Sequence, residues 1–254
     1  MESLQSLLGV SLGLKSLTLY ASIALYTIFV IYGLALFVMP RMGGGQSRSG
    51  GSLLKKKPGQ FSHDDILALS AQSDAFEMVQ EPYTSEYMAD LCLQVAAHFE
   101  MSDSDLESLK IAALLHDIGE MDNYDFVQEE RALRHDEWRM LEEHPLHGYR
   151  FIMERLGPDY EKAAKWVRWS HERWDGTGYP DALAGEQIPI PARILAVVDA
   201  YCAMSQDRPY RSALSPEQIV DELNRYAGIR YDPQIVQLFG VPGQEEKITA
   251  LEVI

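Results

Sequence analysis

The residues with the most chemistry in them close an apolar run. Leu114-Leu115-His116-Asp117-Ile118-Gly119 sets an imidazole beside a carboxylate where a helix stops at a glycine. Charge taken out of water must be paired or bound to metal, so the pair reads as a metal centre or as a hydrogen-bonded helix terminus. Further ligand types downstream favour metal. His144 closes Asp136-Glu-Trp-Arg-Met-Leu-Glu-Glu-His just ahead of Pro145, and His171 ends the stretch containing Trp166, Val167 and Trp169. Asp199 lies within Ile194-Leu-Ala-Val-Val-Asp-Ala, an apolar helix in which an unpaired carboxylate is costly. Imidazole with carboxylate suits Fe, Mn or Zn, and one carboxylate can bridge two ions. The remaining histidines, His63, His98, His135 and His147, lack such surroundings and each reads as a surface or satisfied core residue.

Groups so far apart in sequence need helices to bring them together. Ser104 to Leu115 carries Leu106, Leu109, Ala112 and Ala113 at helical spacing, with acidic residues in the first turn where they suit the helix dipole. Ser62 caps a helix through about Gln80. Thr84 or Ser85 opens another, with Met88, Leu91, Val95 and Phe99 on one face. Asp136 to Glu143, Leu146 to Leu156 and Tyr160 to Arg173 read as further helices. Pro191 starts a long one, Ala192 to about Ser205, and Pro216 and Pro233 start two shorter ones. No stretch shows sustained period-two alternation, and there is no internal repeat. The expected fold is therefore all-α over residues 61–254, with the candidate ligands converging in a helical bundle.

Charge is unevenly spread. The net charge is −16, yet six of the 22 basic residues and only one of the 38 acidic ones fall within residues 1–59, which leaves −21 on the remainder. Such a domain repels a nucleic-acid backbone, so DNA or RNA polymer is excluded as a general partner. Two cysteines, Cys92 and Cys202, are too few for a disulfide framework and fit a reducing compartment. Leu17 to Met39 is 23 uncharged residues rich in Leu, Ile, Val, Ala, Phe and Tyr. At ~1.5 Å per residue it spans a ~30 Å hydrocarbon core as one transmembrane helix about 17–39. Lys15 precedes it, whereas Arg41, Arg48 and Lys55 to Lys57 follow, which places the C-terminal part in the cytoplasm of an inner-membrane, single-pass protein. Residues 40–60 are a flexible basic linker whose lysines suit anionic headgroups.

One stretch resembles a known family. Asp175-Gly-Thr-Gly-Tyr179-Pro180, preceded by His171-Glu172, is similar to the signature of the HD-GYP family within the HD superfamily. The likeness continues through Ile188-Pro189, Ala192-Arg193-Ile194, Asp199, Asp207-Arg-Pro-Tyr-Arg211 and Tyr231-Asp-Pro233, and covers about Thr84 to Phe239. It implies an HD-domain helical bundle that holds divalent metal, iron or manganese before zinc, and hydrolyses cyclic di-GMP or a related nucleotide. His116, Asp117, His144, His171 and Asp199 would hold one or two ions. Asp117 would bridge, with His116 and Asp199 on one ion and His144 and His171 on the other. His116 and Asp117 would also be the residues of the reaction itself. Arg208 and Arg211 would meet the phosphates, and Gly176, Gly178, Tyr179 and Pro180 would shape the loop at the site mouth, a surface open also to a protein partner.

The likeness fails at chemically important positions. Tyr87 and Ser170 stand where the family has histidines, Glu120 where it has a lysine, and Cys202 where an aspartate is common. Each ion position therefore loses one imidazole, and Glu120 reverses a charge where a phosphate should approach. Glu120 becomes a candidate ligand if the chain after Gly119 folds back. His98, 11 residues past Tyr87 and ~16 Å along the same helix, is too far to compensate. Two readings stay open: an anchored phosphodiesterase with a degenerate metal site, or a module of the same fold that binds a nucleotide or a partner without turnover.

Overall fold

The computed structural model describes residues 56–57, 59–77, 79, 82–121, 134–207 and 212–239. Among these the helices are α1 (His63–Glu77), α2 (Ser85–Ala96), α3 (Asp103–Leu114), α4 (His135–Leu141), α5 (His144–Phe151), α6 (Glu161–Arg168), α7 (Ile190–Ser205), α8 (Pro216–Tyr226) and α9 (Pro233–Phe239). Two isolated bridges, Asp175 with Ala184 and Ala227 with Tyr231, are the β-type pairing among the described residues. The all-α expectation holds there. None of these helices is long and apolar enough to cross a membrane. The expected membrane span, nearly all of the basic linker, Arg208 and Arg211 lie outside the described residues.

Local chemistry sets the helix starts. Thr84 accepts a hydrogen bond from the Tyr87 backbone N–H, and Ser102 accepts one from Asp105, each relieving a donor with no partner inside its helix. Ser215 and Gln218 form a reciprocal capping box around Pro216 at the start of α8. The core then fixes the arrangement. Leu91 of α2, Leu109 and Leu114 of α3, and Ile194 and Leu195 of α7 are at most 1% exposed. Each contributes roughly 1.5–3 kcal/mol by leaving water. α3 packs between α2 and α6, α7 lies across α2, and α5 packs on α6. The end of α3, the start of α5, the end of α6 and the middle of α7 thereby meet.

Three boundaries differ from expectation, and two of the differences move a candidate ligand. His144 opens α5; it does not close the helix before it, which ends at Leu141. Pro145 is the reason, because in a first turn its missing N–H breaks no helical bond. α5 itself gives way to a single π turn, Ile152–Leu156, which stops at Gly157 with φ of 106°. α6 ends at Arg168 and not at Arg173, so His171 sits in the turn beyond it. That turn is held open by Glu172, whose buried carboxylate accepts from the backbone N–H groups of Asp181 and Leu183.

Candidate metal centre

α3 stops at Leu115, and a short 3-10 turn, Ile118–Met121, follows the His-Asp pair. The His116 Nδ1–H donates to the Ala113 carbonyl at 2.9 Å, which turns Nε2 toward Asp117 Oδ2 at 3.2 Å. His144 is fixed the same way: Nδ1–H donates to the Leu141 carbonyl at 2.8 Å, and Nε2 faces Asp117 Oδ1 at 3.4 Å. His171 completes the group, its Nε2 lying 3.0 Å from His144 Nε2. One ligand atom each from Asp117, His144 and His171 lie within 4.8 Å of one another.

This donor set fits a divalent cation. A carbonyl only accepts, so both Nδ1 atoms carry their hydrogens, and each Nε2 is the nitrogen left to meet a cation. Those nitrogens face carboxylate oxygens and, for His144, another ring nitrogen, an arrangement that a cation between them would hold together. Asp117 Oδ1 is buried with no hydrogen-bond partner of acceptable geometry. Imidazoles held by backbone carbonyls through the far nitrogen are the usual support for metal-ligating histidine. Burial would raise the Asp117 carboxyl, but the neighbouring His116 and His144 overcome it and hold the group well below the usual range. Burial, then His144, push His171 down to about 3, so its ring is a neutral ligand at neutral pH.

The last shift has a stability consequence. The unfolded chain takes up the His171 proton near pH 6.5, whereas the folded chain resists it down to about pH 3. Folding stability is thus expected to fall as pH drops through that window. Urea unfolding of the metal-free chain from pH 7.5 to 4 checks it. His171→Gln should flatten the dependence, and an unchanged slope would contradict the assignment.

His116 and Asp199 are not in the tight triad. They stand on the wall of an adjoining cavity of about 50 Å³, which also includes Asp117, Glu120, Cys202 and Gln206. Glu120 reaches this wall because the 3-10 turn does fold the chain back after Gly119. Tyr87 does not line it; its ring packs edge-on against Tyr83, 5.4 Å between centroids. The hydroxyl of Ser170, also away from the wall, donates to the Val167 carbonyl at 2.8 Å. His63, His98 and His135 are exposed, and His147 pairs with Glu143 at 3.6 Å.

The glycine-rich loop closes over the triad. The Tyr179 ring stacks on His171, 5.3 Å apart and 9° from parallel. Burial raises the Tyr179 hydroxyl, and Glu142, Asp117, Glu120 and Asp199 raise it further, so it stays protonated and able to donate. Gly178 is required by close approach: a Cβ there would lie 2.3 Å from the Arg173 backbone nitrogen. The bond between Tyr179 and Pro180 is cis. Asp181 ties the loop to α6, accepting from the Arg168 guanidinium through both oxygens and from the Trp169 indole N–H, each at 2.7 Å. Asp74 and Glu172 are positioning groups; the sequence reading quoted Glu172 within the loop signature without a role and passed over Asp74. Asp74 lines the cavity and accepts from the Ser85 backbone N–H at the start of α2. For Glu172 the available signal was an acidic residue directly after a candidate ligand at the end of an apolar helix.

Comparison with known proteins decides the family. An HD domain model matches residues 61–235. This chain belongs to the HD domain family. The chain is 30% identical over 195 residues to a cyclic di-GMP phosphodiesterase of Thermotoga maritima, covering 74% of this chain and 53% of that protein. It is also 30% identical over 148 residues to 3′3′-cGAMP-specific phosphodiesterase 2 of Vibrio cholerae, covering 58% and 28%. The crystal structure of a cyclic GMP-AMP specific phosphodiesterase of V. cholerae superposes with a TM-score of 0.60 at 18% identity, over 74% of this chain and 50% of that one. That likeness establishes the fold of the HD domain. The chain spans about half the length of these relatives, or less. Within that family the chain is HD-GYP-like.

Proposed function

We propose that the chain is a metal-dependent phosphodiesterase of cyclic dinucleotides, cyclic di-GMP or cyclic GMP-AMP, working with a reduced ligand set. The observation that carries this reading is the convergence of Asp117, His144 and His171 within 4.8 Å. Those three would hold one ion, for which the resemblance favours iron or manganese; by resemblance, Asp117 with His116 and Asp199 would hold a second. Bound there, divalent ions polarise a phosphoryl oxygen and lower the pKa of water. The protein does the rest. Backbone carbonyls keep the His116 and His144 rings in the tautomer whose Nε2 faces Asp117, so no reorganisation is needed on binding. Tyr179, protonated above His171, offers a hydrogen bond to a nucleotide oxygen at the mouth of the site. Arg208 and Arg211 supply positive charge for the phosphates, by resemblance, and Gly178 and Pro180 shape the loop that a substrate or a partner protein meets.

The anchor belongs to the proposal as well. Leu17 to Met39 holds the domain at the inner membrane, with five basic residues marking the cytoplasmic side.

One observation favours a binding module instead: Glu120 puts a carboxylate on the cavity wall, where a phosphate would approach. The full-length chain in detergent, loaded with Mn²⁺ and given each cyclic dinucleotide, separates the readings. Linear product supports the enzyme; binding without product supports the module. Glu120→Lys is expected to tighten dinucleotide binding about tenfold, since a phosphate then meets a cation. Weaker binding by that variant would show that the carboxylate serves the ions.

A further inference from the structure

We infer that Asp181 is a positioning residue for dinucleotide binding: with Arg168 and Trp169 it forms a latch that keeps the Tyr179 ring flat on His171, so that the phenol hydroxyl meets the substrate. The inference rests on the function proposed above and adds to it the residue through which Tyr179 is set.

Tyr179 is held from both sides. Ahead of it, a Cβ on Gly178 would lie 2.6 Å from the Glu172 Cα, so the loop presses directly on that backbone. The Tyr179 N–H donates to the His171 carbonyl at 3.3 Å. Behind it, the N–H groups of Asp181 and Leu183 reach the two oxygens of Glu172 at 2.7 and 3.0 Å. Ala182, between those two, has φ of 53°, the left-handed region that is unfavourable for a residue with a Cβ. Two N–H groups flanking such a residue can share one anion, and the Glu172 carboxylate is that anion here. Backbone strain of this kind persists only where the surroundings over-determine it. The latch is the outer part of those surroundings. Arg168 Nε and Nη2 each donate to Asp181 at 2.7 Å, and the Trp169 indole adds a third bond of the same length. A two-pronged, charge-assisted contact fixes direction as well as distance. Arg168 holds the Asp181 carboxyl down to about 2, with Trp169 assisting, so the latch is charged at neutral pH. The Arg168 guanidinium also lies over the Tyr149 ring of α5 at 5.7 Å. The loop is thereby tied to α5 and α6, the helices that bring His144 and His171 to the triad. With side chains 24% and 33% exposed, Arg168 and Asp181 stand outside the core, and their loss leaves the core packed.

Two readouts on the full-length chain in detergent test the inference. In Asp181→Ala, hydrogen exchange of the peptide spanning residues 176–184 should rise at least about fivefold, with helical content and bound Mn²⁺ unchanged. Arg168→Gln should act the same way from the α6 side, and it decides the matter if Asp181→Ala misfolds. The second readout is affinity of the Mn²⁺-loaded chain for hydrolysis-resistant phosphorothioate analogues of cyclic di-GMP and cyclic GMP-AMP. Asp181→Ala and Tyr179→Phe should each weaken it about fivefold, and the double variant no further than Tyr179→Phe alone, because Asp181 acts through that hydroxyl. A merely structural Asp181 would add its own loss, so additive losses in the double variant would overturn the positioning role. Unchanged exchange in both Asp181→Ala and Arg168→Gln would overturn the latch whatever the chain binds. A wild type that binds neither analogue would overturn the function proposed above together with the part of Asp181 in it, and the exchange result would still decide the latch.

Discussion

Asp117→Ala is expected to reduce cyclic-dinucleotide hydrolysis by about a thousandfold or more. Asp117 is the side chain that the triad and the cavity share, so its loss strips a ligand from both ion positions. The same substitution should remove metal-dependent stabilisation. An ion that binds only the folded chain adds about 2.7 kcal/mol when present at 100 times its Kd. Urea unfolding with and without metal should show that increment in the wild type and almost none in the variant. A variant that keeps both turnover and the increment would place the ions elsewhere.

Gly119→Ala is expected to destabilise the domain by about 3 kcal/mol and to release metal along with it. A Cβ on Gly119 would lie 2.1 Å from the His144 carbonyl oxygen and 2.5 Å from the Gly148 nitrogen. Both are backbone atoms of α5, so no rotamer change relieves the clash. The turn after Asp117 must back away from α5, and His144 moves with that helix. Gly148→Ala is the milder neighbour, since its Cβ would meet the Val167 side chain at 2.9 Å. Thermal unfolding and metal content of the two variants check the ranking. A Gly119→Ala chain as stable as the wild type would show that the turn has room to spare.

Much of this was legible in the sequence because it is local. Thr84, Ser102 and Ser215 mark helix starts through bonds to residues three positions away, and apolar spacing picks out the buried faces of α2 and α3. The His116-Asp117 pair stands out because charge at the end of an apolar helix needs a partner. Tertiary geometry was not legible. Whether Pro145 ends one helix or opens the next depends on how α5 meets the turn at Gly119, and that choice sets where His144 sits. Spacing marked His116 and Asp199 as equals of His144 and His171, yet the structure gathers the latter two tightly around Asp117 and leaves the former on the cavity wall. The anchoring of the Gly178-Tyr179-Pro180 loop by Glu172 and Asp181 joins positions nine to 13 apart through backbone N–H groups and an arginine, a pattern that periodicity does not carry.

The central claim is that Asp117, His144 and His171 hold a divalent ion. Elemental analysis of the full-length chain, dialysed against metal and then freed of unbound ions, tests it most directly. At least one ion per chain in the wild type, lost in Asp117→Ala and His171→Gln variants of unchanged helical content, is the predicted result. A folded wild-type chain that emerges without metal would contradict it.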